Sequence, residues 1–294
     1  MKVVVARERA DGENRVALVP EGIQKLRSLG ADVWVESGAG EQAGHPDRAY
    51  EGAGAVVSAD ATALYDNADV VLRVQAPDRD ELERLPQNVL LIGFLSPMTS
   101  PDLLARLAQR RVTALAVEMI PRITRAQVMD ALSSQATVVG YKAVLNAAAA
   151  SGRFFPMLMT AAGTIPPARV LVIGAGVAGL MSIATARRLG AVVQAFDIRA
   201  AAKEQVESLG ATFVGFQVAE GEGQGGYAQE VSEETKRQEH DHLRKLVGDS
   251  DVVITTALVP GRPAPKLITE ETGEMMAMSM SPRTSAGTRS AVPW

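Results

Sequence analysis

The chain has 294 residues, of which 30 are basic and 34 acidic for a formal net charge of -4. With charges of both signs spread along the sequence, there is no basic face to gather counterions from a phosphate backbone, which excludes nucleic acid as a partner. There is no cysteine, so thiolate catalysis, disulfides and most structural zinc sites are excluded, and a reducing compartment fits.

Apolar residues make up 47% of the sequence and aromatics 4%, a balance suited to Val-, Ala- and Leu-rich parallel strands covered by helices. The length predicts two domains. The N-terminus, Met1-Lys-Val-Val-Val-Ala-Arg-Glu-Arg9, reaches mixed charge too early for a signal peptide and reads as a first strand. An uncharged run, residues 170–186, holds three glycines and falls short of the ~20 apolar residues that span a bilayer. It reads as strand, turn and helix.

In the first half, residues 2–6, 31–36, 69–74, 89–95 and 112–117 are the predicted strands. Helices start at Pro20 and at Ser100-Pro101, as Pro at the first helical position favours. Residues 124–151, rich in Ala, Leu, Met and Gln without an internal proline, predict one long helix joining two domains. The alternation then restarts: strand 169–173, helix 177–189 closed by Gly190, strand 191–196, helix 201–209 closed by Gly210, and strand 211–216. A segment with four glycines, Gly221 to Tyr227, reads as a mobile flap, followed by a charged helix over 228–247 and a strand over 251–256.

Gly174, Gly176 and Gly179 form G-x-G-x-x-G after a strand and at the opening of a helix, with Asp197 at the end of the next strand. This is where the motif has a mechanism. The first glycine permits the tight turn, the second lets backbone approach a pyrophosphate, and the third lets helix and strand pack closely. The helix N-terminus offers amides and partial positive charge to the phosphates, and Asp197 accepts from both ribose hydroxyls, which favours NAD over NADP. Arg199 reads either as a group accommodating a 2′-phosphate or as a solvated or adenine-stacking guanidinium.

A second polar group gathers in Pro121-Arg-Ile-Thr-Arg-Ala-Gln-Val-Met-Asp130. On one helix face Gln127 and Asp130 could meet a ribose and nicotinamide, and Arg122 a phosphate or carboxamide. From the residues alone, caps and surface are the better reading. His45, His240 and His242 are read as solvated, since a spacing of two on a helix points side chains to different faces; no metal site is expected. Lys203 and Glu207 read as an exposed helix pair.

The ordered run of Glu13-Asn-Arg-Val-Ala17, Pro121-Arg-Ile-Thr-Arg-Ala-Gln-Val-Met-Asp-Ala-Leu-Ser-Ser-Gln135, Met159 to Arg169, Gly174 to Gly179, Asp197-Ile-Arg199, Gly225-Gly-Tyr227 and Thr255 to Gly261 closely resembles the NAD(H)-binding domain I, or first α-subunit, of proton-translocating nicotinamide nucleotide transhydrogenase. The resemblance runs from Met1 to about Glu271. It implies that Arg122, Gln127 and Asp130 hold and orient the reacting nicotinamide, with Ser133 near the ring. It further implies that Val177 and Asp197, Ile198 and Arg199 contact the pyrophosphate and adenosine ribose beside the cofactor-binding turn of Gly174, Gly176 and Gly179, and that Gly226 and Tyr227 close over the nucleotide, with Thr256 and Leu258 also in contact. The implied reaction passes hydride between NAD(H) here and NADP(H) on a partner β-subunit or domain, coupled to proton movement through membrane-spanning subunits. A homodimer on the cytoplasmic side of the inner membrane is implied as well.

The nearest rival is alanine dehydrogenase, which shares these motifs but needs acid-base groups to handle an amino or imino acid. Those enzymes carry lysine and histidine where this chain has Gln75 and Ser96, and transfer between two nicotinamides needs no substrate proton. The expected architecture is α/β, with two Rossmann-like parallel-sheet domains over 1–132 and 133–274 joined by a long helix. Residues 275–294 form an aberrant tail without strand pattern, read as a shifted reading frame. That tail leaves a third reading, a truncated non-catalytic NAD-binding product.

Overall fold

A computed structural model describes residues 1–215, 233–257, 264, 266–270 and 272–273. The chain divides into two compact units, Met1–Ala131 and a second beginning at Leu132.

The first unit runs β1 (Lys2–Val5), α1 (Pro20–Ser28), β2 (Asp32–Glu36), α2 (Asp47–Gly52), β3 (Val56–Ser58), α3 (Ala61–Tyr65), β4 (Val70–Leu72), α4 (Arg79–Arg84), β5 (Leu90–Gly93), α5 (Pro101–Gln109) and β6 (Thr113–Ala116). Its strands form one six-stranded sheet in the order β3-β2-β1-β4-β5-β6, every pair parallel. Because successive strand residues point to opposite faces, Val3, Val5, Val33 and Val35 enter one core while Val4, Val71 and Leu91 enter another. Burial on both faces explains why these strands read as continuous apolar runs. Elements α2, α3, α4 and β3, of three to six residues, are too short to carry a period; α4 does have a start signal, the capping box of Asp78 and Glu81.

The second unit contains α6 (Ala131–Ala150), β7 (Leu158–Thr160), β8 (Gly163–Ile165), β9 (Arg169–Ile173), α7 (Val177–Arg188), β10 (Val192–Phe196), α8 (Ala202–Ser208), β11 (Thr212–Phe213), α9 (Glu233–Gly248) and β12 (Val252–Thr255). Among the described residues its main sheet has the order β11-β10-β9-β12, all parallel, and β7 and β8 form a separate antiparallel pair. Val170, Val172, Ala195 and Ile254 fill one core and Leu171, Ile173, Phe196, Leu243 and Val247 the other.

The single helix expected over 124–151 is two elements. Residues Thr124–Met129 form a 3-10 helix ending at Asp130, whose ψ of 85° leaves the helical region, and α6 starts at the next residue. The composition favours helix throughout, but Asp competes for backbone groups and favours helix starts over helix interiors. The strand expected over 211–216 reduces to Thr212–Phe213, and the expected flap from Gly221 to Tyr227 and the tail from 275 lie outside the described residues. No helix among the described residues is long and apolar enough to cross a membrane.

Candidate dinucleotide site

The glycine turn follows β9. Gly174 has φ +95°, in the left-handed region where a side chain is strained. A Cβ there would lie 2.9 Å from Thr256 Oγ1 and 3.1 Å from the Ala257 nitrogen. At Gly179 a Cβ would sit 1.8 Å from the Gly174 carbonyl oxygen, so only glycine lets α7 pack this close to the turn. Gly176 differs: a Cβ would meet nothing within 4 Å, so its missing side chain leaves open space over the backbone. Thr256, just after β12, ties the turn from the other side. Its amide donates to the Ile173 carbonyl at 2.8 Å and its hydroxyl lies 2.9 Å from the Gly174 carbonyl oxygen.

Gly176 is the N-cap of α7, no side chain caps that end, and the first turn carries no acidic residue. The helix therefore offers amides and the positive end of its dipole without an internal anion competing for them. Arg187 and Arg188 occupy the last turn, where positive charge is favourable. Val177, the first helical residue, is exposed. This end fits a pyrophosphate.

Asp197, one residue past β10, is 7% exposed. Its Oδ2 accepts from the Ala175 amide at 2.7 Å and from Arg199 Nη2 at 3.0 Å; its Oδ1 accepts from the Arg199 amide at 2.9 Å and Arg199 Nε at 3.0 Å. Burial pushes the carboxyl upward, but the Arg199 side-chain bond and the Arg199 and Ala175 amides outweigh it and hold the group below its ordinary value. Ribose hydroxyls arriving at this carboxylate would have to displace donors it already holds. Four donors already fill its acceptor positions, and the side chain of Arg199 supplies one on each oxygen. Ile198 is half-buried against Phe196, Leu243 and Val247.

The structure therefore brings together Gly174, Gly176, Val177, Gly179, Asp197, Arg199 and Thr256. Ser133 lies in the same unit on α6, half-buried, its carbonyl accepting from the Thr137 hydroxyl at 3.0 Å. Arg122, Gln127 and Asp130 belong to the first unit. Arg122 and Gln127 are exposed and Asp130 half-buried, with the Asp130 amide donating to the Gln127 carbonyl at 3.2 Å. Gly226, Tyr227 and Leu258 lie outside the described residues. Among the described residues no group of His, Cys, Asp and Glu could hold a metal ion. Of the histidines, His242 is not simply solvated: its Nε2 lies 2.9 Å from the Val214 carbonyl oxygen and its ring 6.2 Å from Phe196.

Three groups of contacts in the first unit carry no signal in the sequence. The strand order places a switch point at the carboxyl ends of β1 and β4, where doubly wound sheets bind ligands. Here that place is filled from within. Glu8 Oε1 accepts from the Val74 amide at 2.6 Å, Glu8 Oε2 from the Gln75 amide at 3.2 Å, and Arg73 bridges Glu8 and Glu81 at 3.4 and 2.5 Å. Arg9 pairs with Glu36 and, at 3.2 Å, with Glu81. Nearby, Glu13 is gripped by Arg15 Nε at 2.7 Å and Nη2 at 2.5 Å and by Gln75 Nε2 at 2.8 Å. The Arg15 bond leads the causes that lower Glu13 to about 2. Ser96, at φ +49°, gives its amide to Glu118. A lone Gln75 and a lone Ser96 do not announce partners 62 and 22 residues away.

Known proteins decide what this arrangement belongs to. "Alanine dehydrogenase/PNT, N-terminal domain" matches residues 4–139 and "Alanine dehydrogenase/PNT, C-terminal domain" residues 143–281. The chain belongs to the alanine dehydrogenase/PNT family. Within that family it is 48% identical over 279 residues to the first of the polypeptides that make up the NAD(P) transhydrogenase alpha subunit of Rhodospirillum rubrum, covering 92% of this chain and 73% of the relative. The alanine dehydrogenase of Halomonas elongata is more distant, at 34% identity over 92% of this chain and 68% of its own. Among solved structures, the transhydrogenase of Sinorhizobium meliloti superposes with a TM-score of 0.84 at 45% identity, covering 94% of this chain and 75% of that one. By sequence identity this member of the family stands nearer to the transhydrogenase α-subunit than to the alanine dehydrogenase.

Proposed function

We propose that the chain is the NAD(H)-binding subunit of a proton-translocating transhydrogenase. It passes hydride between NAD(H) on its second unit and NADP(H) on a partner subunit, while membrane-spanning subunits move the proton. The observation that carries this reading is the uncapped, acid-free N-terminus of α7 behind an open Gly176, with Asp197 anchored beside it. The identity to a transhydrogenase α-subunit supports it.

In this reading the amides of the first turn of α7 hold the pyrophosphate, and Asp197 with Ile198 and Arg199 receives the adenosine ribose. Arg122, Gln127, Asp130 and Ser133 hold and orient the ring end, and Gly226, Tyr227, Thr256 and Leu258 complete the contacts. The bound dihydronicotinamide supplies the hydride. The protein supplies orientation, because bringing two rings into a reactive geometry replaces much of the entropy a bimolecular step would cost. No substrate proton needs handling, which agrees with neutral Gln75 and Ser96 at the two positions where the rival chemistry places a base and an acid. The functional domains would be 1–132 and 133–274, with 275–294 as a divergent tail. The assembled subunit would sit on the cytoplasmic face of the membrane as a homodimer.

The test mixes the purified chain with an NADP(H)-binding partner domain and follows reduction of an NADP analogue by NADH. Transfer that requires both proteins is expected. Tight NADH binding without transfer would refute the catalytic assignment and leave a nucleotide-binding product, and turnover of alanine or pyruvate without a partner would support the dehydrogenase reading.

A further inference from the structure

A glycine inside a long helix costs roughly 1 kcal/mol relative to alanine, so Gly140 in the middle of α6 calls for a physical reason. It is buried, and a Cβ on it would lie 2.2 Å from the Ala178 carbonyl oxygen and 3.0 Å from the Met181 Cβ. Ala178 is the second residue of α7. The backbone of α6 therefore rests directly on the first turn of α7, with no side chain between them. Ser182, fully buried, closes the contact: its hydroxyl lies 3.1 Å from the Gly140 carbonyl oxygen and 2.9 Å from that of Ala178. Both acceptors can share its one proton.

We propose that Gly140 and Ser182 are positioning residues for the phosphate-binding end of α7, fixing the depth at which its first-turn amides stand and so the affinity for the pyrophosphate portion of the nucleotide. The inference rests on the NAD(H) reading above. Amide-to-anion bonds weaken steeply with distance and angle, and a displacement near 1 Å is enough to cost function. The same helix carries Ser133 seven residues earlier, two turns or about 10 Å along the axis and on the same face. One rigid element thus bears both the contact that sets the phosphate end and a residue assigned to the ring end.

The experiment measures binding of NADH, ADP-ribose and adenosine, by calorimetry for the first two and ligand-detected NMR for the third. The parent chain is compared with Gly140→Ala, Ser182→Ala and a control, Gly152→Ala, where a Cβ would meet nothing within 4 Å. Gly140→Ala is expected to weaken NADH and ADP-ribose about tenfold and to leave adenosine, which has no phosphate, unchanged. Ser182→Ala follows the same pattern at about threefold. A general loss of structure would weaken all three ligands together, and that result overturns the proposal, as does parental ADP-ribose affinity in Gly140→Ala. Should Gly140→Ala fail to fold, Ser182→Ala, which removes one oxygen, decides alone: unchanged ADP-ribose affinity refutes the positioning role. A parent chain that binds neither NADH nor ADP-ribose refutes the nucleotide reading instead.

Discussion

Asp197 meets four donors, as many as an ionised carboxylate accommodates. Its bond to the Ala175 amide ties the end of β10 to the glycine turn, so the residue is structural before any ligand arrives. Asp197→Asn, with a single acceptor oxygen, is expected to lower unfolding free energy by about 1–3 kcal/mol in urea titration and to weaken NADH. Arg199→Met, which frees one position on each carboxylate oxygen, should leave NADH binding intact or tighter if ribose hydroxyls replace the guanidinium. A large loss would give Arg199 a direct role in binding. Glu13 carries the clearest pH dependence. Its folded value of about 2 lies below the ordinary value of 4.5, so its stabilisation is complete above pH 4.5 and lost as pH falls towards 2. In Arg15→Met the decline in urea midpoint between about pH 5 and 3 should be shallower than in the parent. The spacing of Asp197 from the glycines was legible because strand, turn and helix lengths are local. The Gln75 partner of Glu13 was not, because it lies 62 residues away.

At the scale of elements, α7 and β9 were legible nearly to the residue because an apolar run bounded by glycine admits one local solution. The break at Asp130 was not: helix propensity covers both sides of it, and only packing sets where the 3-10 turn gives way to α6. The β7–β8 hairpin also escaped, since three-residue strands show no period. It pairs Leu158 with Ile165 and Met159 with Thr164, and Met159 is 80% exposed. An isolated two-stranded ribbon is marginal in water, and exposed apolar side chains on one favour a partner surface, which supports the proposed homodimer. Met159→Glu is expected to shift the sedimentation coefficient from dimer to monomer while leaving the circular dichroism of the chain unchanged. A dimer undisturbed by this charge would remove the hairpin from the interface.

Among the described residues two parallel sheets repeat one winding plan, and of these the second carries the glycine turn. The first leaves β1 through Ala6-Arg7-Glu8 and fills its own switch point with the Glu8 carboxylate on the Val74 and Gln75 amides. One dinucleotide per chain is therefore expected in calorimetric titration with NADH, and a stoichiometry of two would mean that the Glu8–Arg73–Glu81 cluster yields to a ligand. By itself the sequence determined the α/β class, the alternation of elements and the glycine turn, because each depends on residue type and local spacing, while the neutral Gln75 and Ser96 gained meaning only from the resemblance to a family that carries lysine and histidine there. Tertiary structure alone decided that Glu8 plugs the first switch point, that Arg199 occupies Asp197, and that Gly140 bears on Ala178. The Glu8 and α6–α7 contacts join segments 66 and 42 residues apart, where side-chain chemistry cannot name its partner until the sheet order has placed one beside it. Arg199 is only two residues from Asp197, and there the folded turn at the end of β10 decides that the guanidinium points back onto the carboxylate.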